Sequence, residues 1–336
     1  MLTCRIGLAT QFVQLGHHLK DNPHRMKSGA WLASNAMTLG TVFVVVAYAG
    51  FIQWMWGWDA IFRLWSHAGW GTIALALVLL VSTYVLRTWR IYDYFPAETR
   101  ARFGMLFRVV QIHNLLNIMM PFRSGETSFP LLMKQEFGVN LVRGTSALLV
   151  MRLFDLHALL AAAGMGLALE RKALWVWAIW IAFLLLPAIG FSARHIIFRT
   201  IGRVSSAKIG RLIDEVKAGL PVDGRAFLRA WGVTLINWFV KIAVLAWVLM
   251  LMGDIALPAS FGGALGGELS SVLPVHAPGG VGTYPAGITA GALGFGASPA
   301  EEALSALGQA AVNVHLLVIL SSLIGTTLAL FVPRRT

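Results

Sequence analysis

The sequence predicts an all-α polytopic membrane protein of six full spans and two broken or re-entrant hairpins, its halves related as an inverted-topology repeat. Three observations carry this expectation. Of 336 residues, 57% are apolar and only 12% charged, half of the roughly 25% charge found in a soluble domain. Six apolar runs are each long enough to cross a bilayer core, which takes about 20 residues. Two further apolar stretches are interrupted in their middles by Pro, Gly and polar residues. Abundant Trp and Gly suit the same class, as interface anchors and helix-packing points.

A net charge of +12 would suggest nucleic acid in a soluble chain. Here the basic residues lie between apolar spans, so the expected partner is an anionic cytoplasmic leaflet, and no nucleic acid. Cys4 is the single cysteine and has no partner for a disulfide or a metal site, so neither metal nor cofactor is expected.

Residues 1–30 read as a cytoplasmic interfacial segment: Leu8, Phe12, Leu15 and Leu19 recur at helical spacing beside Gln11, Gln14 and His18, and no signal-peptide pattern is seen. The spans follow at 31–56, 66–90, 145–169, 173–191, 228–252 and 303–331. Arg87, Arg90, Arg100 and Arg102 follow the second run, and eight Lys or Arg residues from Arg194 to Arg229 follow the fourth. Positive charge assigns both connections to the cytoplasm. Asp59 and Arg63, the turn at Glu170–Lys172, Asp254, and Glu301 with Glu302 then mark outside faces. In the basic loop 192–229, Ile209, Leu212, Ile213, Val216 and Leu220 form a stripe suited to a second helix on the leaflet. Both termini, including the tail 332–336, are expected in the cytoplasm of a cell bounded by this membrane, the plasma membrane.

The interrupted stretches, 103–142 and 255–297, must each enter and leave by one side, or the eight-cation loop would fall outside. Full crossing and re-entry give the same parity; Lys134 and Glu136 in the short return arm favour re-entry. The order span, span, broken hairpin, span then occurs twice, at 31–172 and, inverted, at 173–331. In transporters built this way, the corresponding broken helices point at the binding site.

The first break is Pro121-Phe122-Arg123-Ser124-Gly125-Glu126, preceded by His113, Asn114 and Asn117. Counted from Arg102, Pro121 lies ~28 Å along a helical path. Ser124 suits an N-cap and Glu126 the first turn, so a helix N-terminus able to bind an anion is expected to point inward; an ordinary outer loop is the competing reading. Arg152 and Asp155 are three residues apart on one helix face. Counted from Arg143 they lie ~13 and ~18 Å into the span, and Lys241 lies ~18 Å beyond Arg229. These five charged groups can meet at mid-depth, either as internal ion pairs or as the receptor for an anionic guest. The second break contains His276, Pro278, Gly279, Gly280, Gly282 and Thr283; its glycines permit close approach and positive φ, Thr283 can cap the next helix, and Pro285 suits the first turn. Glu268, Gln309, Asn313 and His315 are supporting polar candidates on neighbouring elements.

The series from Asn117 through Pro121, Arg123, Gly125 and Glu126, then Arg152 and Asp155, then Pro278-Gly279-Gly280-Val281-Gly282, resembles the lysylphosphatidylglycerol synthase transmembrane-region family of flippase-like integral membrane proteins. Met151 and Pro285 depart from its pattern at positions where an acidic residue is expected. The resemblance implies lipid translocation, similar in kind to the flippase portion of bifunctional aminoacyl-phospholipid synthases, without their soluble transferase domain.

The expected function is therefore movement of an anionic, phosphate-containing lipid or lipid-linked headgroup between leaflets. Arg123, Glu126, Arg152, Asp155 and Lys241 would bind the headgroup. His113, Asn114, Asn117, Ser124, Gln309 and Asn313 would support them, and Pro121, Gly125, Pro278, Gly279, Gly280, Gly282 and Thr283 would form the turns. The alternatives are a membrane-embedded lipid-modifying transferase, for which Glu126 with Asp155 is the one candidate acid–base pair, and a non-transporting accessory subunit. Expected partners beyond the lipid are a second copy of the chain or a separate lipid-synthesising enzyme.

Overall fold

The computed structural model describes residues 43, 46–171, 173–204, 223–272 and 277–332, with isolated positions 210, 214, 217 and 219–221. The expected N-terminal interfacial helix, the start of the first run, most of the stripe at 209–220, His276 and residues 333–336 lie outside the described residues.

Every regular element among the described residues is helical. After helical residues 46–55 come α1 (Trp58–Ala68), α2 (Trp70–Tyr94), α3 (Pro96–Thr99) and α4 (Phe103–Met119). A 3-10 segment (Pro121–Thr127) leads into α5 (Ser128–Phe137), α6 (Leu141–Arg171) and α7 (Leu174–Val204). The remainder is α8 (Gly224–Gly253), α9 (Leu257–Val272), a second 3-10 turn (Pro278–Gly280), α10 (Thr283–Gly294) and α11 (Glu301–Leu330). Helices α2, α6, α7, α8 and α11 are each long and apolar enough to cross a membrane, so the chain is an all-α polytopic membrane protein.

Several boundaries differ from those read off hydropathy. The connection holding Asp59 and Arg63 is the helix α1, set off by Gly57 and Gly69 at φ 77° and 87°. Helix α2 continues to Tyr94, so Arg87 and Arg90, expected in a cytoplasmic loop, lie inside a span. Helix α7 runs on to Val204 and takes Arg194, Arg199 and Arg203 out of the expected loop. Helix α2 outlasts its apolar run because Arg87 and Arg90 find partners on neighbouring helices while the backbone remains internally bonded.

Both interrupted stretches break where expected. Their arms, α4 and α5 of 17 and 10 residues and α9 and α10 of 16 and 12, reach ~25, ~15, ~24 and ~18 Å, each short of a ~30 Å core. The second hairpin is closed by glycines on both arms: a Cβ on Gly262 would lie 2.5 Å from the Gly291 carbonyl, and one on Gly287 would lie 2.6 Å from that of Gly266. Only residues without side chains allow this backbone approach. The two 3-10 breaks meet, α2 packs against α8, α4 against α11, and α6 against α9. The expected caps are not used: Thr127 and Gly282 precede α5 and α10, and neither makes a side-chain cap bond. Thr283 opens α10 and donates to Gly280 O at 3.2 Å, whereas Glu126 lies in the 3-10 segment.

One span carries an internal proline. Pro187 in α7 has no N–H for the Phe183 carbonyl four residues earlier. His157 of α6 fills that vacancy, its Nε2 lying 3.0 Å from Phe183 O and its ring stacking on Phe183 at 4.9 Å. Replacing the donor leaves a carbonyl unsatisfied in hydrocarbon, which costs about 1–3 kcal/mol. His157→Phe should accordingly lower the melting temperature of the purified protein, and His157→Gln, which retains an N–H donor, should recover part of the loss. Equal melting of His157→Phe and wild type would show that the carbonyl needs no partner.

Candidate functional site

Arg90, Asp155, Arg152, Glu126 and Arg123 form a connected chain of ion pairs. Asp155 on α6 is 1% exposed and accepts from three elements. Arg90 Nη1 of α2 lies 2.5 Å from its Oδ1, Arg152 Nη1 lies 3.1 Å from its Oδ2, and Trp238 Nε1 of α8 lies 2.9 Å from its Oδ1. Arg90 also donates to Thr234 Oγ1 of α8 at 3.1 Å.

Arg152 continues the chain of contacts, donating through Nε and Nη2 to Glu126 Oε2 at 3.1 and 3.0 Å. Glu126 also accepts from Arg123, whose Nη1 donates to the Ser271 carbonyl at 3.0 Å. That carbonyl belongs to the last turn of α9, where helix carbonyls lack an internal donor. Arg123 thus ties the first break to the second hairpin, from a backbone at φ 53° that side-chain-bearing residues rarely adopt. Gly125 lets the break fold back on α4, since a Cβ there would lie 2.5 Å from Leu116 O.

His113 braces the same corner. Ser128 Oγ donates to Gly125 O at 2.6 Å, leaving its lone pairs to accept from His113 Nδ1 at 2.9 Å. This assignment puts the proton on Nδ1 and leaves Nε2 as an acceptor facing Arg152 Nη2 at 3.5 Å.

On the other side, Lys241 Nζ of α8 donates to Glu268 Oε2 of α9 at 2.8 Å, and Tyr284 of α10 donates to Glu268 Oε1 at 2.7 Å. Tyr284 stacks on His315 of α11, whose Nε2 lies 2.9 Å from Gly279 O. These two groups, with Arg87, Asn117, Arg123, Arg152, Asp155, Lys241 and Glu268, line one cavity at the meeting of both breaks.

Arg87 differs from the other cations. Its Nη1 donates to Asn114 Oδ1 at 2.7 Å, and Asn114 Nδ2 donates to Ser322 Oγ at 3.2 Å. Among the described residues no carboxylate lies within ion-pair distance of Arg87, while Arg90, Arg123, Arg152 and Lys241 each have one. Five cations therefore face three carboxylates, Glu126, Asp155 and Glu268.

The structure brings together all five charged residues singled out in the sequence, along with His113, Asn114 and Asn117; Asn117 Oδ1 is buried without a partner. Pro121 and Gly125 lie in the first break, and Pro278, Gly279, Gly280 and Gly282 form the second, with φ of 66°, 70° and 72° at its glycines. Ser124, Gln309 and Asn313 stand apart from the cavity. Ser124 accepts from Thr127 through its carbonyl, and Asn313 Nδ2 donates to Gln309 O at 2.8 Å within α11. Arg87, Arg90, Tyr84, Trp238 and Tyr284 were not foreseen at the site. For Arg87 and Arg90 a signal existed: their three-residue spacing puts both on one helix face, next to Tyr84 and Thr88.

Fold and cavity together define a polytopic membrane protein with a cation-rich site between two broken hairpins. Residues 37–321 match the family model described as lysylphosphatidylglycerol synthase TM region, and the chain belongs to that family. No match is found among curated proteins or solved structures.

Removing the Asp155 charge leaves Arg90 and Arg152 competing for what remains, and breaking a buried pair by deleting one partner costs about 3–5 kcal/mol. Asp155→Asn should therefore express poorly and melt early in detergent. Melting indistinguishable from wild type would mean that the carboxylate does not hold α2, α6 and α8 together.

Proposed function

We propose that the protein moves an anionic, phosphate-bearing lipid or lipid-linked headgroup between leaflets. The observation that carries this reading is the cation surplus of the cavity, and within it Arg87, a guanidinium with a neutral partner in place of a carboxylate. A buried cation without a counter-ion is costly and is usually functional, and guanidinium is matched to phosphate by paired hydrogen bonds. Family membership supports a lipid over a water-soluble anion.

The contact pattern supports an inverted repeat. Exchanging the halves turns α4 against α11 into α9 against α6, and α5 against α6 into α10 against α11; all four contacts exist, and α2 with α8 maps onto itself. The short hairpin arms support re-entry from opposite sides, with headgroup access alternating as Arg123 releases and regains the Ser271 carbonyl. The basic segment from Arg194 onward supports a cytoplasmic loop, cytoplasmic termini and residence in the plasma membrane.

The test is reconstitution into vesicles carrying headgroup- or chain-labelled lipids, with leaflet accessibility and lipid mass read together. Wild type should transfer anionic lipid faster than zwitterionic lipid and return it with unchanged mass; an altered mass would indicate a transferase, and no transfer an accessory subunit. Arg87→Gln should fold normally, since glutamine can still bond Asn114 and no carboxylate is stranded. Its transfer of anionic lipid should fall about tenfold or more, the equivalent of one charge-assisted hydrogen bond. Wild-type transfer by this variant would remove Arg87 from the site.

Arg123→Lys probes the bridge between breaks. Arg123 reaches Glu126 and Ser271 O through separate nitrogens, and one ammonium cannot reproduce that planar fork. Transfer should be lost while the protein remains folded, and an active Arg123→Lys would show that a point charge suffices.

A further inference from the structure

A second site lies away from the central cavity and shares no lining residue with it. An apolar groove between α7 and the α6–α8 pair is walled by Leu153, Phe154, Pro187, Phe191 and Phe227, with Gly190 leaving its floor open. Phe191 and Phe227 stack at 4.3 Å, and Phe154 meets Phe227 edge-on at 5.7 Å, so the wall is a rigid aromatic surface. The groove continues past Phe198 into a polar basin bordered by Arg194, His195, Arg199 and Lys217.

Length and charge both constrain what fits. Pro187 is the middle residue of the span Leu174–Thr200. From Pro187 to Phe198 the groove follows α7 for ~16 Å, about the depth of one leaflet of a ~30 Å core. It is apolar from mid-depth outward and becomes basic only at the end of the span. Arg194 folds over the Phe191 ring at 3.8 Å and donates to Phe191 O at 2.8 Å. Lys217 pairs with the exposed Asp214, and among the described residues no carboxylate lies within ion-pair distance of Arg194 or Arg199. Much of α7 otherwise exposes Leu, Ile and Trp, so the medium bordering the groove is lipid.

We propose that this groove holds one acyl chain of an anionic phospholipid, with its phosphate on Arg194 and Arg199, as a bound lipid separate from whatever passes through the central cavity. Ordinary boundary lipid would show no headgroup preference; a chain slot ending in two guanidinium groups that meet no carboxylate among the described residues selects a negatively charged headgroup.

The experiment measures thermal unfolding of the full-length protein in detergent with added dioleoyl phosphatidylglycerol or dioleoyl phosphatidylcholine. It is carried out in wild type and in Arg87→Gln, which weakens the central site. At a hundredfold excess over Kd, phosphatidylglycerol should raise the melting temperature by about 4 °C in both proteins, and phosphatidylcholine by clearly less. In the Arg87→Gln background, Arg194→Gln/Arg199→Gln should reduce the phosphatidylglycerol shift to the phosphatidylcholine level. A Cβ at Gly190 meets no heavy atom within 4 Å, so Gly190→Leu should place its side chain in the groove, fold normally and lose the shift. Equal shifts for the two lipids in wild type would overturn the proposal. So would no shift at all, a shift abolished by Arg87→Gln, or a full shift retained in Gly190→Leu.

Discussion

The architecture depends on the need to neutralise Asp155, a carboxylate enclosed by helices that cross a membrane. An ionised carboxyl in such a medium persists only with charge and hydrogen bonds around it. Here those come from Arg90 on α2, Arg152 on α6 and Trp238 on α8. Satisfying one side chain therefore fixes the relative rotation and depth of three spans. An apolar core could pack the same helices with comparable stability; the ionic arrangement adds a unique register and places cations where a guest can reach them.

From Asp155 the same requirement propagates outward. Arg152 needs more acceptors than Asp155 offers and recruits Glu126, which recruits Arg123, which reaches the end of α9. Lys241 and Tyr284 close the opposite side on Glu268. The links from Arg152 to Glu126, Arg123 to Ser271, and Lys241 and Tyr284 to Glu268 cross between elements, so the two interrupted hairpins are held together in part by polar contacts. Polar contacts are the ones that a phosphate can replace, since its oxygens accept from the same guanidinium groups. The left-handed backbone at Arg123 belongs to this arrangement: the conformation costs roughly 1–2 kcal/mol and is held by the bonds of the two terminal guanidinium nitrogens.

Backbone accounting explains the other irregular places. Pro187 frees a carbonyl that His157 takes, and glycines at 279, 280 and 282 carry the positive φ angles of the second break. The first break uses one glycine for close approach and leaves the left-handed position to an arginine. The two breaks thus turn the chain by different local chemistry.

Hydropathy alone determined that the chain is all-α and crosses a membrane, because a backbone in hydrocarbon must bond within its own segment. Pro, Gly and polar residues inside apolar stretches located both breaks, and the three-residue spacing of Arg152 and Asp155 set them on one face. The sequence misplaced Arg87 and Arg90, since the charge rule treats any cation at the end of an apolar run as a loop residue. It also expected Ser124 and Thr283 to cap helices that begin without side-chain caps. Only the tertiary structure decided which cation meets which carboxylate, that Glu268 takes Lys241, and that Arg87 meets none among the described residues. The physical reason is range: helix formation and breakage are governed by neighbours within a few residues, whereas neutralising a charge in low dielectric also depends on groups 26 to 65 positions away in the chain.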